Sequence, residues 1–292
     1  MKKMHSNKLH IAIFLLPALL LFVGVLIAPI VMSTYYSFFD WNGFGAKTFI
    51  GLSNYKELFS SNAIGFMKAL VNSLILALLS VGIQLPFALW LALKLGKGIR
   101  GERAFLSVYF MPVLISTVVI GQLWLKIYNP SYGILNVLLR SIGLDNLAKA
   151  WLGTKETALG ACFVPTLWQY VGYHMLLLYA GVKSVPPELR EAAMLDGATE
   201  GQVNRFIVIP YIKPILKISM IFAITGSLKS FDLIYVLTNG GPLHATEVPS
   251  TLMISMLFLR NRYGMGSTIA VMLIVLCFAF ALLISAIFRE EG

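Results

Sequence analysis

Long apolar runs, separated by short polar segments, dominate the pattern of this sequence. Six runs stand out, at about 11–39, 69–93, 104–127, 157–182, 214–237 and 267–288. A helix that crosses a bilayer needs about 20 mostly apolar residues, and each run reaches that length. None shows the ten-residue alternation of a membrane β-barrel strand. We therefore predict an all-α, polytopic membrane protein with six transmembrane helices, forming a single domain over residues 1–292.

Composition and charge support a membrane protein with a defined orientation. Apolar residues make up 58% of the chain and charged residues only 12%, against about 25% charged in a soluble domain. With the N-terminus inside, the segments 1–10, 94–103, 183–217 and 289–292 hold 13 of the 23 Lys and Arg. Cytoplasmic loops are enriched in these cations, so the net charge of +10 indicates topology and not nucleic-acid binding. We predict a multi-pass protein of a bacterial cytoplasmic membrane, with both termini cytoplasmic.

The predicted cytoplasmic loop 183–213 carries signals for ordered structure. Pro186-Pro187 can begin a helix, since Pro is favoured in the first helical turn. Gly197 suits a helix C-terminus that needs a positive φ angle. Thr199 and Gln202 have the spacing of a capping box for a second helix. The loop is therefore predicted to be a helix, a glycine turn, a second helix and an elbow made by Pro210 and Pro214.

The same loop contains the run Glu191-Ala192-Ala193-Met194-Leu195-Asp196-Gly197-Ala198. This run resembles the EAA signature of ABC importer permeases. Three further stretches strengthen the resemblance: Gly51-Leu52-Ser53-Asn54-Tyr55, Trp168 to Tyr173, and Phe231 to Pro242 with its Asn-Gly-Gly-Pro end. Together they make the chain similar to the first permease subunit of type I importers for carbohydrates, the maltose and multiple-sugar group.

The resemblance implies a complex of several proteins. A second permease subunit completes the pathway, two ATPase subunits bind beneath it, and an extracytoplasmic sugar-binding protein delivers a sugar or oligosaccharide. ATP and Mg belong to the ATPase subunits, so no cofactor, metal or catalytic residue is expected in this chain, and no phosphate-binding G-x-x-x-x-G-K-[ST] sequence occurs in it. Nucleic acid is not an expected partner. Which sugar is carried does not follow from the sequence.

Two sets of candidate residues follow. The resemblance assigns ATPase coupling to Glu191, Ala192, Ala193, Asp196, Gly197 and Ala198, although alanines also simply favour helices. The candidate substrate pathway combines aromatic and polar residues of the fourth span with polar residues of the fifth: Trp168, Gln169, Tyr170, Tyr173, Thr225, Lys229 and Asp232. The aromatics could instead form an interfacial belt.

Lys229 and Asp232 leave one question open at this stage. Charged residues inside a membrane are costly and usually face a partner or a cavity. Their spacing of three places them on one face of a continuous helix, where they could form a structural ion pair or a polar patch beside the pathway. An ion-coupled secondary transporter or a channel that uses this pair is the alternative function.

Overall fold

The structure is a computed structural model that describes residues 8–61 and 63–288, so the predicted cytoplasmic termini lie outside the described residues. Most of the described residues are helical, and the all-α prediction is confirmed. In chain order the α-helices are α1 (Lys8–Leu21), α2 (Ala28–Tyr36), α3 (Ser53–Ser60), α4 (Phe66–Leu79), α5 (Leu85–Leu95), α6 (Glu102–Leu114), α7 (Thr117–Ile127), α8 (Ile134–Ser141), α9 (Lys155–Ser184), α10 (Pro187–Leu195), α11 (Glu200–Val203), α12 (Ile209–Tyr211), α13 (Lys213–Leu228), α14 (Asp232–Thr238), α15 (Pro249–Ile254) and α16 (Tyr263–Ile287).

Shorter elements connect or extend these helices. π-helical turns occupy Phe22–Ile27, Ser80–Gln84, Asn204–Val208 and Ser255–Leu259, and a 3-10 turn occupies Asp145–Leu147. Two short strands, β1 (Phe39–Asp40) and β2 (Thr48–Phe49), pair antiparallel with Phe39 opposite Phe49.

Within residues 8–61 and 63–288, four stretches are long and apolar enough to cross a membrane: Phe14–Tyr36, Phe66–Leu95, Lys213–Thr238 and Tyr263–Ile287. The predicted third span, 104–127, is not one straight helix, because α6 and α7 meet at an angle of 95° and make at most one broken span. The predicted fourth span, 157–182, lies inside the 30-residue α9. α9 is not one of the four stretches named above, because polar and aromatic residues interrupt its middle. The six predicted spans are therefore an approximate count.

The chain divides into two compact units, residues 1–64 with 253–274 and residues 65–252 with 275–292. In the first unit, the Gly51-to-Tyr55 motif has a structural role. The buried Asn54 donates from Nδ2 to the carbonyls of Ser37, at 2.9 Å, and Phe39, at 3.0 Å. Tyr55 and Ser37 also share a hydroxyl–hydroxyl hydrogen bond of 2.8 Å. The motif thereby fixes α3 against the chain that leaves the first span.

In the second unit, α9 is the central helix, and it packs against α5, α6, α13 and α14. One buried cluster joins Leu91 and Leu95 of α5 to Met175 and Leu178 of α9. Close approach of α9 to α6 depends on Gly172, because a Cβ there would lie 1.9 Å from the Tyr109 carbonyl oxygen. Small residues permit such contacts between membrane helices, where van der Waals packing is the main driving force.

Candidate functional site

A cavity of about 330 Å³ lies within the second unit, where several helices are interrupted. Thr117 lines it directly after the bend between α6 and α7, and Lys229, Ser230 and Phe231 line it at the gap between α13 and α14. Ser80 and Gln84 line it from the π-helical turn that follows α4. Non-helical backbone at membrane depth is tolerated where it borders a cavity or is buried in protein. The interruptions therefore mark a polar site inside an otherwise apolar bundle.

The middle of α9 supplies one wall of this cavity. Gln169, Tyr170 and Tyr173 line it, as the sequence analysis expected for a pathway. Gln169 is only 2% exposed, and its Nε2 donates to Thr117 Oγ1 at 3.4 Å. Its Oε1 has no hydrogen-bond partner within the described residues. A buried acceptor without a partner is costly, so this amide oxygen is an unusual feature of the wall.

Gln84 and His174 are polar residues of the same lining that form hydrogen bonds within the chain. Gln84 donates from Nε2 to the Leu167 carbonyl at 2.7 Å, and Ser80 donates to Gln84 Oε1. His174 Nδ1 and Ser219 Oγ lie 2.9 Å apart. These bonds hold the wall in shape. Sequence reasoning missed Ser80, Gln84 and Thr117, although two polar residues four apart in an apolar run were a usable signal.

Lys229 and Asp232 both line the cavity, but not as the sequence predicted. They do not lie on one face of a continuous helix, because α13 ends at Leu228 and α14 begins at Asp232. No ion pair within 4.0 Å joins them in the described part of the chain. Both side chains are exposed. The third expected member of this group, Thr225, lines the cavity and donates to the Ile221 carbonyl at 2.7 Å.

Trp168 is the one predicted pathway residue that does not line the cavity. Its ring packs edge-on against Trp124, with centroids 5.9 Å apart. Neighbouring residues on a helix point about 100° apart, so Trp168 and Gln169 face different surroundings. Phe222 and Phe231, which the sequence analysis did not select, supply aromatic lining instead.

The predicted coupling loop, residues 183–213, has the expected order of helix, glycine turn, helix and elbow. Gly197 has a φ of +86°, and its N–H donates to the Met194 carbonyl at 3.0 Å. The next N–H, of Ala198, donates to the Ala193 carbonyl at 2.9 Å. This pair of bonds is the Schellman motif that ends a helix with a left-handed residue. The Thr199–Gln202 capping box then begins α11, as predicted.

The predicted coupling residues fall into two groups. Glu191, Ala192, Asp196 and Gly197 are exposed, whereas Ala193 and Ala198 are half-buried and pack against the cluster between α5 and α9. The two half-buried alanines therefore pack the loop against the helices of this subunit. Leu195, which lies within the same run but was not singled out, is 89% exposed at the end of α10 and adds apolar surface to the exposed group.

Buried apolar residues of the loop pack against α5 and α9. Val203, Val208 and Ile212 are buried in the same cluster as α5 and α9. An ion pair joins Lys97, which follows α5, to Glu200 at the start of α11, and this bond lowers the pKa of the Glu200 carboxyl. Among the described residues, no group of three His, Cys, Asp or Glu side chains could hold a metal.

Comparison with known proteins identifies the family. Residues 84–290 match the family model described as "Binding-protein-dependent transport system inner membrane component". The chain belongs to this family. It is 38% identical over 290 residues to the probable ABC transporter permease YurN of Bacillus subtilis, covering 98% of each chain. The resemblance to ABC importer permeases is thus confirmed, and this permease is a multi-pass membrane protein.

Two further matches extend the comparison. The permease is 30% identical over 291 residues to the diacetylchitobiose uptake permease NgcF of Streptomyces coelicolor, covering 96% of this chain and 82% of that one. It shares its fold with a chain of the bacterial alginate ABC transporter, solved in complex with alginate pentasaccharide-bound periplasmic protein. That likeness has a TM-score of 0.84 at 24% identity and covers 97% of this chain and 95% of the other.

Proposed function

We propose that this permease forms half of the membrane pathway of an importer for a sugar or oligosaccharide, coupled to cytoplasmic ATPase subunits. The observation that carries the proposal is that one continuous helix, α9, lines the polar cavity and leads directly into the coupling loop. A second permease subunit would complete the pathway. NgcF, a relative across most of the chain, is named for a sugar, which favours a sugar here.

Cavity chemistry supports a polyhydroxylated substrate. Tyr170, Tyr173 and Phe231 offer ring faces, and the free Gln169 Oε1 offers a buried acceptor. Binding sites for small molecules are mostly apolar with a few placed polar groups, and they have volumes of roughly 300–1,000 Å³. The cavity of about 330 Å³ would be the part of such a site that one subunit contributes. Lys229 and Asp232 are proposed to face the substrate path, since each lacks the other as a partner.

Coupling follows from the way the loop is attached. The distance along α9 from Tyr173 to its end at Ser184 is about 16 Å at 1.5 Å per residue. The buried cluster joins that half of α9 to α5 and to the loop, so the three parts move together. We infer that the exposed surface of Glu191, Ala192, Asp196, Gly197 and Leu195 docks on an ATPase subunit, which holds the ATP and Mg. A displacement of this surface by the ATPase subunit would then be transmitted through α9 to the cavity wall.

The proposed location is a bacterial cytoplasmic membrane with both termini and the coupling loop in the cytoplasm. An extracytoplasmic binding protein would deliver the sugar on the opposite side. The ion-coupled carrier or channel is the alternative, and it has less support because the permease belongs to a binding-protein-dependent family.

The test is reconstitution of the permease with its co-encoded second permease, ATPase and binding protein in lipid nanodiscs and in vesicles. ATPase activity should rise when the binding protein is loaded from a panel of neutral and acidic sugars, and the sugar that stimulates should also be taken up. Tyr173→Leu should reduce uptake at least tenfold while stimulation persists. Trp168→Leu is the matched control, since Trp168 lies outside the cavity lining, and it should stay within threefold of wild type.

Two results would contradict the proposal. Uptake that proceeds without ATP and follows a proton or sodium gradient would establish the alternative carrier. Equal uptake and selectivity in the Tyr173→Leu and wild-type proteins would remove the cavity from the sugar path.

A further inference from the structure

The loop 239–248, between α14 and α15, carries unusual backbone strain at its tip. Leu243 has a φ of +49° and His244 a φ of +59°, so two consecutive side-chain-bearing residues adopt the left-handed conformation. This region is unfavourable for residues other than Gly, and less so for Asn, Asp and His than for Leu. Strain of this kind persists only where the surrounding structure imposes it, and such residues cluster at functional sites.

Hydrogen bonds at the base of the loop hold the tip in this strained conformation. Residues 245–250 are all buried. Asn72, a buried residue of α4, donates from Nδ2 to the carbonyls of Ala245 at 3.0 Å and Glu247 at 2.8 Å. Thr246 Oγ1 donates to the Gly241 carbonyl at 2.8 Å, and it also lies 2.7 Å from Thr238 Oγ1. The backbone on both sides of the tip is therefore fixed.

The tip itself projects from this base. Leu243 is 73% exposed, although it belongs to a segment whose other apolar residues are buried. His244 is held in place by Glu247, with Nδ1 and Oε2 2.6 Å apart. An exposed Leu in a strained, rigid loop presents a preorganised apolar contact, and preorganisation lowers the entropy lost on binding.

The position of the tip suggests its partner. The stretch Lys213–Thr238 is long enough to cross a membrane, with the coupling loop before it and loop 239–248 after it. The tip thus lies on the side opposite the proposed ATPase surface. It is also one seven-residue helix, α14, away from Asp232 in the cavity lining.

We propose that Leu243 and His244 form a contact point for the extracytoplasmic binding protein. The inference rests on the proposed function, and it is favoured by the dependence of the family on a binding protein and by the polar pedestal, Asn72, Thr246 and Glu247, beneath the tip. Docking at the tip places the delivered sugar beside the end of α14, which leads to the cavity.

The experiment measures ATPase activity of the reconstituted wild-type complex against the concentration of its co-encoded, sugar-loaded binding protein. Leu243→Asn is the main variant, because Asn tolerates the left-handed backbone and keeps the loop folded while removing the apolar contact. The half-maximal concentration should rise at least fivefold, with basal and maximal ATPase activity unchanged. His244→Asn should raise it by a smaller factor. Asn239→Gly is the matched control, since it changes another positive-φ residue of the same loop without touching the tip.

The outcomes separate the inference from the proposed function. If the wild-type complex shows no stimulation by any loaded binding protein, the proposed function fails. If wild type is stimulated and Leu243→Asn has a half-maximal concentration within twofold of it, only the docking assignment is overturned. Loss of the second permease from the purified Leu243→Asn complex would assign the tip to the permease–permease contact and would also overturn it.

Discussion

Replacing Gly172 with Ala tests the packing that holds the cavity wall in place. Gly172 is buried in α9, between the cavity residues Tyr170 and Tyr173. A Cβ at this position would lie 1.9 Å from the Tyr109 carbonyl oxygen, 2.5 Å from its carbonyl carbon and 2.9 Å from the Phe110 Cα. All three atoms belong to the backbone of α6. No side-chain rotation can relieve the contact, so α6 and α9 must separate.

The size of the effect follows from these distances. Ordinary van der Waals contact begins at 3.4 Å, so the two helices would have to part by about 1.5 Å locally. Adding a methyl group to a close-packed site costs about 1–3 kcal/mol, and occasionally more. The upper half of that range is expected here because two rigid backbones collide. Each kcal/mol corresponds to roughly 2–4 °C in melting temperature for a domain of 150–250 residues.

The measurement is thermal unfolding of the detergent-solubilised complex, followed by size-exclusion chromatography after heating, together with uptake in vesicles. Gly160→Ala is the matched control on the same helix, since a Cβ at Gly160 meets nothing within 4 Å. Ala is the better helix former by roughly 0.5–1 kcal/mol. The control should therefore melt at or slightly above the wild-type temperature, while Gly172→Ala melts lower and transports less. A Gly172→Ala protein with wild-type melting temperature and wild-type uptake would refute the close approach of α6 and α9.

Three further predictions concern the loops. Gly197→Val should abolish most ATP-driven uptake while Gly197→Asn retains it, because the position has a φ of +86° but open space around it; uptake in vesicles and co-purification of the ATPase measure both effects. Arg262 lowers the pKa of Glu57 through two hydrogen bonds, at 2.8 and 2.6 Å, so this pair stabilises the fold above pH 4.5 and that contribution is lost as the pH falls through the lowered pKa. Glu57→Gln should remove this pH dependence of the melting temperature, an effect below about 1 kcal/mol since both side chains are more than a third exposed. Lys97→Glu should weaken the coupling of ATPase activity to uptake, and adding Glu200→Lys should restore it; no recovery in the double variant would argue against the ion pair.

Local features of this permease could be predicted from its sequence because local physics decides them. Lipid cannot satisfy a polar backbone, so long apolar runs must become helices, and hydropathy finds most of them. The end of α10 was also predictable, since a positive φ at Gly197 and the Thr199–Gln202 box involve residues only a few positions apart. The family signature could be recognised for the same reason, since each of its motifs is a short run of neighbouring residues.

Other features were decided only by the tertiary structure. Spacing placed Lys229 and Asp232 on one helical face, but the helix is interrupted between them beside a cavity that α4, α7 and α9 also border. Periodicity did not separate Trp168 from Tyr173, because both lie on a helix that is surrounded on several sides. Asn72 clamps two carbonyls that are 173 and 175 residues away along the chain. The role of a polar side chain inside an apolar span depends on the residues that it contacts on other helices. Those contacts are set by how the helices pack, and the pattern along a single helix does not contain that information.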